Sequence, residues 1–271
     1  VDRSEDWHPG EAAGLFAAVT ALEFVASNGM YGDTEVTFFD HGSSSTTTLY
    51  DLVEDTLRKG RPFAYNRLAQ LAGYTRLNAA EGPLGTLGLE STTLRHVFDA
   101  SRWADAGRRR SLRHSPPVAL KRPGRNITVE AREGVAVHGC QRDVCTTVTD
   151  LARTMCIISQ HDRLPLSRRL RMGEQESPAH RLALLGSLRK RKRQAIGVLE
   201  RTIRKALPHY RGYDMLQRGG ERGGWHTVNM ALISAKPHRP DWVVSFAAHG
   251  SLKELQVAAE VVSTILKGGM L

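Results

Sequence analysis

The sequence predicts a mixed fold, with a small α/β layer unit at its amino-terminal end and an α+β unit of two strands and a helix at its carboxy-terminal end. Three observations lead to this fold class. A helix, a strand and a helix follow one another in the first 60 residues, a basic middle part is helical and extended, and two β-rich runs precede a final apolar helix. The predicted parts are residues 1–63, 64–126, 127–222 and 223–271.

The first unit is predicted from its apolar pattern. Apolar residues over Ala12–Val25 lie mainly on one helical stripe, and Asn28-Gly29 ends that helix. Residues 36–39, Val-Thr-Phe-Phe, predict a short strand, and residues 40–42 predict the turn after it. A second helix is expected to start within residues 45–47, Ser-Thr-Thr, and to end at Gly60.

The middle of the chain has weaker signals. Residues 65–73 predict a short helix, and a Gly-rich connection leads to another helix near 91–100. Residues 108–125 surround two prolines without periodicity, which predicts an extended basic connector. Residues 127–137 alternate around a Glu-Gly pair, which predicts a hairpin, and residues 146–158 predict a helix behind it.

The last two patterns are clearer. Residues 187–207 carry apolar side chains at helical spacing, with cations on the other faces, and predict one basic helix. Residues 225–233 and 242–246 predict two strands. An apolar stripe over residues 252–268 predicts the final helix, and the Trp residues of this unit are expected to lie in its core.

Charge is distributed unevenly along the 271 residues. The net charge is +10, but residues 1–100 hold seven basic and 14 acidic side chains, whereas residues 101–222 hold 27 basic and 11 acidic ones. A positive field favours a polyanion such as RNA, DNA or an acidic membrane. An excess of arginine is also what GC-rich coding produces, so the composition alone leaves a solvated basic face as the alternative.

The connector and the basic helix hold the residues that we predict to contact RNA phosphates. These residues are Arg108, Arg109, Arg110, Arg113, Lys121, Arg122, Arg125, Arg168, Arg169, Arg171, Arg189, Lys190, Arg191, Lys192, Arg193, Arg201, Arg204 and Lys205.

Candidate catalytic and metal sites are incomplete in the sequence. His138, Cys140 and Cys145 have side chains that bind zinc, but no CxxC pair accompanies them, so a zinc site stays open. No Walker A motif or dinucleotide-binding glycine pattern is present, and the serines after His41 lack a G-x-S-x-G elbow. We therefore predict no catalytic residue, no cofactor and, apart from that zinc site, no bound metal.

The location of the protein is predicted from its cysteines and its first residues. Three cysteines cannot all pair, which favours a reducing, intracellular compartment. The apolar run Ala12–Leu22 is too short to span a bilayer, so no transmembrane helix is expected. The chain begins at Val1 without a signal-peptide pattern, which is consistent with a processed product or a fragment, and the mitochondrial matrix is one candidate location.

The stretch around the first strand resembles the helix-strand-helix part of ribonuclease H-like domains, in which an acidic residue opens the helix and another ends the strand. Asp40 ends the strand here, and Glu11 or Glu23 on the preceding helix could complete a two-metal carboxylate pair. When the helices are aligned, Gly14 stands at the position of that family's catalytic Glu. The first catalytic strand of that family would have to precede Val1, so two of the expected carboxylates are then missing.

The same stretch is similar to the ribosomal protein family that holds 5S rRNA. That family has an Ala-rich helix, a gap ending in Gly, a strand with Phe-Asp, a Gly turn, and a helix ending in a basic residue and Gly. Here these features are Ala12–Ala26, Gly29, residues 36–40, Gly42 and Tyr50–Gly60. The resemblance implies a non-catalytic protein that binds rRNA.

The leading hypothesis is therefore a structural, non-enzymatic RNA-binding protein of a large ribonucleoprotein, namely a ribosomal subunit, with a mitochondrial ribosome as one candidate. Its expected partners are rRNA and neighbouring proteins of the complex. Two alternatives stay open. One is a viral matrix or nucleocapsid protein that binds RNA or an anionic membrane. The other is a ribonuclease H-like nuclease that uses Asp40 and Mg²⁺.

Overall fold

The structure is a computed structural model that describes residues 7, 9–40, 42–78, 88–89, 91–95, 113–135, 144–172, 178–189, 194–206, 212–236 and 240–268. Its helices are α1 (Gly14–Ser27), α2 (Leu49–Glu54), α3 (Pro62–Ala72), α4 (Tyr74–Asn78), α5 (Val148–Ser159), α6 (Ala179–Arg189), α7 (Gln194–Ala206) and α8 (Leu252–Gly268). Its strands are β1 (Glu35–Asp40), β2 (Ser43–Thr48), β3 (Thr93–Leu94), β4 (His114–Ser115), β5 (Val118–Arg122), β6 (Arg125–Val129), β7 (Arg132–Glu133), β8 (Val144–Cys145), β9 (Tyr213–Arg222), β10 (Trp225–Ser234) and β11 (Trp242–His249). The prediction of a mixed α/β protein is confirmed.

Helix α1 is the centre of the core. A 3-10 turn over Gly10–Ala13 leads into it, and every residue from Gly14 to Ala26 is buried. The stretch Gly10–Ser27 has the length and composition of a membrane-spanning helix, but 89% of it is buried inside the fold. As predicted, α1 ends before Gly29, whose positive φ of 69° favours a residue without a Cβ atom.

The amino-terminal sheet has the strand order β2-β1-β5-β6, and all of its described pairings are antiparallel. The segment after Gly42 differs from the prediction, because the Ser and Thr residues form β2 before α2 begins. Thr48 caps α2 by accepting a hydrogen bond from the backbone N–H of Asp51. A π-helical turn over Asp55–Lys59 then extends α2 to Gly60.

The predicted basic connector and the predicted hairpin are both placed differently by the structure. Residues 118–129 form the hairpin β5–β6, which turns at Pro123-Gly124 rather than at Glu133-Gly134. A Pro-Gly pair is a strong turn signal, and it outweighs the alternating pattern further along the chain. Residues Arg132–Glu133 instead pair as β7 with β4.

Two predicted helices also differ from the structure. Residues 91–95 contain the short strand β3, which pairs with β8, and residues 96–100 lie outside the described residues. The predicted basic helix over 187–207 corresponds to the end of α6 and to α7, and residues 190–193 between them are not described. The predicted helix at 146–158 is confirmed as α5, which Thr147 caps through the Asp150 N–H.

The carboxy-terminal sheet has the strand order β11-β10-β9 and is again antiparallel. The two predicted strands are confirmed as β10 and β11, and the predicted final helix is α8. Strand β9 was not predicted. The turn Gly223-Gly224 between β9 and β10 has φ angles of 57° and 78°, as a two-residue type I′ hairpin requires. Helices α7 and α8 pack on one face of this sheet, and the 3-10 turn and α5 pack on the other.

A buried carboxyl group on α1 gives a first testable expectation. Burial raises the pKa of Glu23 from 4.5 to about 7, although the backbone N–H of Arg171 donates to its Oε1 atom at 2.6 Å. At a pH between these two pKa values, the Glu23 carboxyl group is protonated in the folded protein and ionised in the unfolded chain. The contribution of this group to the free energy of unfolding therefore falls by about 3 kcal/mol as the pH rises from about 4.5 to about 7.5.

Replacing Glu23 by glutamine removes the titration and keeps an oxygen that accepts from Arg171. We expect urea unfolding of the Glu23→Gln variant to show a weaker fall in stability with pH than the wild-type protein, with the two curves farthest apart at neutral pH and above. Equal pH slopes for the two proteins would contradict the burial of an ionisable group at this position.

Candidate functional site

A cavity of about 300 Å³ lies where the 3-10 turn, the π-helical turn and the start of α3 meet β9. This volume is at the small end of the range for ligand pockets. The lining residues are Gly10, Glu11, Gly14, Thr56, Gly60, Arg61, Pro62, Tyr65, Arg218, Glu221 and Arg222. These residues come from three separate parts of the sequence, so the cavity exists only in the folded chain.

The 3-10 turn and β9 touch through their backbones. A Cβ atom added to Gly220 would lie 2.2 Å from the carbonyl oxygen of Pro9 and 2.8 Å from the backbone nitrogen of Glu11. On the 3-10 turn, a Cβ atom added to Gly10 would lie 2.8 Å from the backbone nitrogen of Glu221. Glycines at both positions therefore permit the close approach that forms this wall of the cavity.

Arg218 joins three of the four elements around the cavity. Its side chain is 1% exposed, and its Nε atom donates to the carbonyl oxygen of Glu11 at 2.8 Å. Its Nη1 atom donates to the carbonyl oxygen of Leu57 at 2.7 Å, and its Nη2 atom donates to Glu11 as well. The planar guanidinium group thus binds the 3-10 turn and the π-helical turn to β9.

Strand β9 presents a backbone donor to the cavity. Arg222 and Trp225 close the two-residue hairpin, so the next pair, Glu221 and His226, is a non-hydrogen-bonded pair of the ladder. The N–H of Glu221 consequently points away from β10, and it donates to the Oε2 atom of Glu11 at 3.0 Å. A side-chain carboxylate of the protein itself therefore occupies this donor.

Charged and polar side chains surround this contact. Arg61 and Arg222 line the cavity, and Arg61 forms an ion pair with Asp55 at 2.8 Å. The buried hydroxyl of Thr56 has no hydrogen-bond partner among the described residues. The cavity therefore offers cations for an anionic group, a backbone donor for a carbonyl or carboxylate oxygen, and a hydroxyl.

Comparison with known proteins assigns the fold. No protein-family model and no curated protein sequence matches the chain. Among solved structures, a β-lactamase from Francisella tularensis matches all of this chain and 90% of its own, at 12% identity and a TM-score of 0.60. A β-lactamase from Sphaerobacter thermophilus matches 97% of this chain and 86% of its own, at 16% identity and a TM-score of 0.56. The mutant penicillin-binding protein PBP-A, in an acyl-enzyme complex with penicillin G, matches 96% of this chain and 82% of its own, at 14% identity and a TM-score of 0.55.

These matches correct the sequence-based reading of function. The resemblance to ribonuclease H-like domains and to the 5S rRNA-binding family is wrong, because the chain has the fold of class A β-lactamases and penicillin-binding proteins. The prediction of a ribosomal RNA-binding protein, its rRNA and ribosomal partners and both alternatives fall with it. The prediction of a protein that is not an enzyme is also wrong, because the structures that share this fold are those of enzymes.

The sequence shares the fold of these enzymes but lacks two of their three catalytic motifs. Class A β-lactamases and penicillin-binding proteins use S-x-x-K, S-D-N and K-T-G motifs. This sequence contains neither S-D-N nor K-T-G, and its S-x-x-K match is Ser187–Lys190. Ser187 is buried in α6, where its hydroxyl donates to the carbonyl oxygen of Ala183 at 2.9 Å. At the cavity itself, the carboxyl groups of Glu11 and Glu221 are the acidic side chains of the described lining.

The basic residues predicted to bind RNA are spread over several elements. Residues 108–110 and 190–193 lie outside the described part of the chain. Lys121, Arg122 and Arg125 are on the β5–β6 hairpin. Arg113 precedes β4, Arg168, Arg169 and Arg171 lie between α5 and α6, Arg189 ends α6, and Arg201, Arg204 and Lys205 are on α7. None of these described residues lines the cavity.

The carboxylates considered for a metal pair have different partners. Asp40 binds the guanidinium of Arg67, with Oδ2 to Nη2 at 2.5 Å. Glu11 accepts from Glu221, and Glu23 accepts from Arg171. The described residues contain no group of three or more His, Cys, Asp or Glu side chains that could hold a metal ion.

The proposed zinc ligands are also divided. His138 and Cys140 lie outside the described residues, and Cys145 is disulfide-bonded, which removes its thiolate as a metal ligand. Cys156 is free. Disulfides persist in oxidising compartments, so the bond at Cys145 is at odds with the reducing interior that the cysteine count favours. The location of the protein stays a prediction.

Proposed function

We propose that the cavity between the 3-10 turn and β9 binds a β-lactam or a short acyl-peptide that carries a free carboxylate. The observation that carries this proposal is the hydrogen bond from the Glu221 N–H to the carboxylate of Glu11. It identifies a backbone donor at the cavity wall that binds a carboxylate oxygen in a geometry the fold already allows.

The edge of β9 suits a peptide-like ligand. No described strand pairs with the side of β9 that faces away from β10. An amide-containing ligand can align with such an edge and exchange backbone hydrogen bonds with it. The cations Arg61 and Arg222 stand beside this edge, where they would pair with the carboxylate of the ligand.

The similarity to solved structures supports the class of ligand. One of the proteins with this fold was captured as an acyl-enzyme complex with penicillin G, which contains both an amide-like ring and a carboxylate. Only the class of ligand is carried over from those proteins to this chain, because the serine and lysine motifs of their chemistry are not at this cavity.

The test is calorimetric titration of the whole chain with penicillin G and with two versions of an acetylated dipeptide. One version has a free carboxylate and the other has a carboxamide in its place. We expect penicillin G and the free-carboxylate dipeptide to bind, and we expect the carboxamide version to bind at least about tenfold more weakly, since a charge-assisted hydrogen bond contributes about 1.5–3 kcal/mol.

Matched arginine variants locate the binding. Arg222→Ala removes a cation from the cavity lining, and Arg168→Ala removes an exposed arginine that lies elsewhere. Affinity for penicillin G should fall about tenfold or more in the first variant and stay unchanged in the second. The proposal would be refuted if Arg222→Ala and Arg168→Ala changed the affinity equally. It would also be refuted if the wild-type protein bound neither penicillin G nor the free-carboxylate dipeptide at millimolar concentration. Mass spectrometry of the same samples reports whether the ligand gains the mass of water.

A further inference from the structure

We infer that Glu11 is an internal competitor of the ligand, so that binding requires the Glu11 carboxylate to leave the backbone N–H of Glu221. This inference rests on the proposed function and adds the residue that sets the affinity of the same site. Its basis is that one N–H donates one strong hydrogen bond, and Glu11 already accepts the one from Glu221 at 3.0 Å.

The rest of Glu11 is held in place. Its carbonyl oxygen accepts from Arg218, and its backbone nitrogen packs against Gly220. Displacement of the carboxylate therefore involves rotation of the side chain, while the 3-10 turn stays where it is. Side-chain rotation is a small structural change, which makes exchange of Glu11 for a ligand oxygen feasible without opening the fold.

Charge adds to the competition. The carboxylates of Glu11 and Glu221 both belong to the cavity lining, and each opposes the entry of an anionic ligand that Arg61 and Arg222 attract. Loss of the Glu11 carboxylate frees the donor and removes one of these negative charges. Both effects act in the same direction, toward tighter binding of a carboxylate.

The experiment compares the wild-type protein with Glu11→Ala and Glu11→Gln in titrations with penicillin G. We expect Glu11→Ala to tighten binding by about tenfold or more, the size of one hydrogen bond to a charged group. Glu11→Gln should give a smaller gain, because its amide oxygen still accepts from Glu221 but carries no charge. The matched control is Glu260→Ala, which removes an exposed glutamate of α8 and should leave the affinity unchanged.

A second readout needs no ligand. Hydrogen exchange of the Glu221 amide, followed by NMR, should be faster in Glu11→Ala than in the wild-type protein and unchanged in Glu260→Ala. The inference is overturned if Glu11→Ala binds penicillin G equally well or more weakly than the wild-type protein, or if the exchange rate at Glu221 is unchanged. Binding of penicillin G by the wild-type protein would still leave the proposed function intact. If none of the four proteins binds penicillin G or the dipeptide, the proposed function fails and this inference fails with it.

Discussion

Replacing Gly220 by alanine is expected to destabilise the protein by about 3 kcal/mol, the upper end of what overpacking of a dense contact costs. The new Cβ atom would lie 2.2 Å from the carbonyl oxygen of Pro9 and 2.7 Å from the backbone nitrogen of Ala12. Both atoms belong to the backbone, so no side-chain rotation relieves the overlap. The 3-10 turn must move away from β9 instead.

Glycine to alanine at a second site provides the matched control. Gly186 lies within α6, and a Cβ atom there meets nothing within 4 Å. Gly186→Ala is therefore expected to raise stability by about 0.5–1 kcal/mol, the difference in helix propensity between the two residues. Thermal and urea unfolding should separate the variants in opposite directions. A Gly220→Ala protein as stable as the wild type would show that the backbones of the 3-10 turn and β9 do not touch.

The separation of the 3-10 turn from β9 has a consequence at the cavity. The Glu221 N–H follows Gly220 in β9, and its acceptor Glu11 belongs to the turn that must move. We therefore expect Gly220→Ala to speed hydrogen exchange at Glu221 as well, which distinguishes a local opening of this wall from uniform destabilisation.

The sequence predicts those elements whose apolar pattern decides their structure. Helix α8 and strands β10 and β11 bury apolar side chains at regular spacing, and α1 is apolar at most of its positions, with Thr20 and Glu23 as exceptions. Strand β9 escaped prediction because its second half, Gln-Arg-Gly-Gly-Glu-Arg, has the composition of a loop. The available signal was the Gly223-Gly224 pair, since a two-residue hairpin turn before β10 requires a strand before it.

The glycines and the arginine of β9 have tertiary roles that local propensity does not contain. Gly220 is needed for the close contact with the 3-10 turn, and Arg218 is needed for its hydrogen bonds to two carbonyl oxygens. The wall of the candidate site is therefore the part of the sheet that sequence patterns describe worst. Glu11 was a candidate from the sequence, but as a metal ligand, and the structure gives it a backbone partner instead.

Net charge led to a wrong prediction of function because it does not show which cations are paired within the fold. Several cations of the basic middle segment have acidic partners within the fold, including Arg181 with Asp162 at 2.6 Å and Arg189 with Asp214 at 2.7 Å. Ion pairs between residues distant in sequence do not appear in a count along the chain. A charge excess is evidence about solubility and nonspecific attraction, and it does not locate a binding site.

The largest effect on stability is expected at Arg218. Replacing it by methionine keeps much of the side-chain volume but removes the donors that bind the carbonyl oxygens of Glu11 and Leu57. The carbonyl oxygen of Leu57 then loses the donor that Arg218 supplies, at about 1–3 kcal/mol, whereas the carbonyl oxygen of Glu11 keeps the backbone N–H of Gly14. We expect Arg218→Met to lose about 3–5 kcal/mol, because a hydrogen bond to a charged group contributes about 1.5–3 kcal/mol and Arg218 makes such bonds to two carbonyl oxygens.

Lysine at the same position tests whether geometry or charge is the cause. Arg218→Lys retains the positive charge, but one ammonium group replaces a planar fork that reaches two different turns, so a stability between those of Met and Arg is expected. The matched control, Arg201→Met, changes an exposed arginine of α7 and should stay within about 0.5 kcal/mol of the wild type. The measurement is urea unfolding of all four proteins. If Arg218→Lys equals the wild type, charge alone suffices at this position and the guanidinium fork is not what joins the 3-10 turn and the π-helical turn to β9.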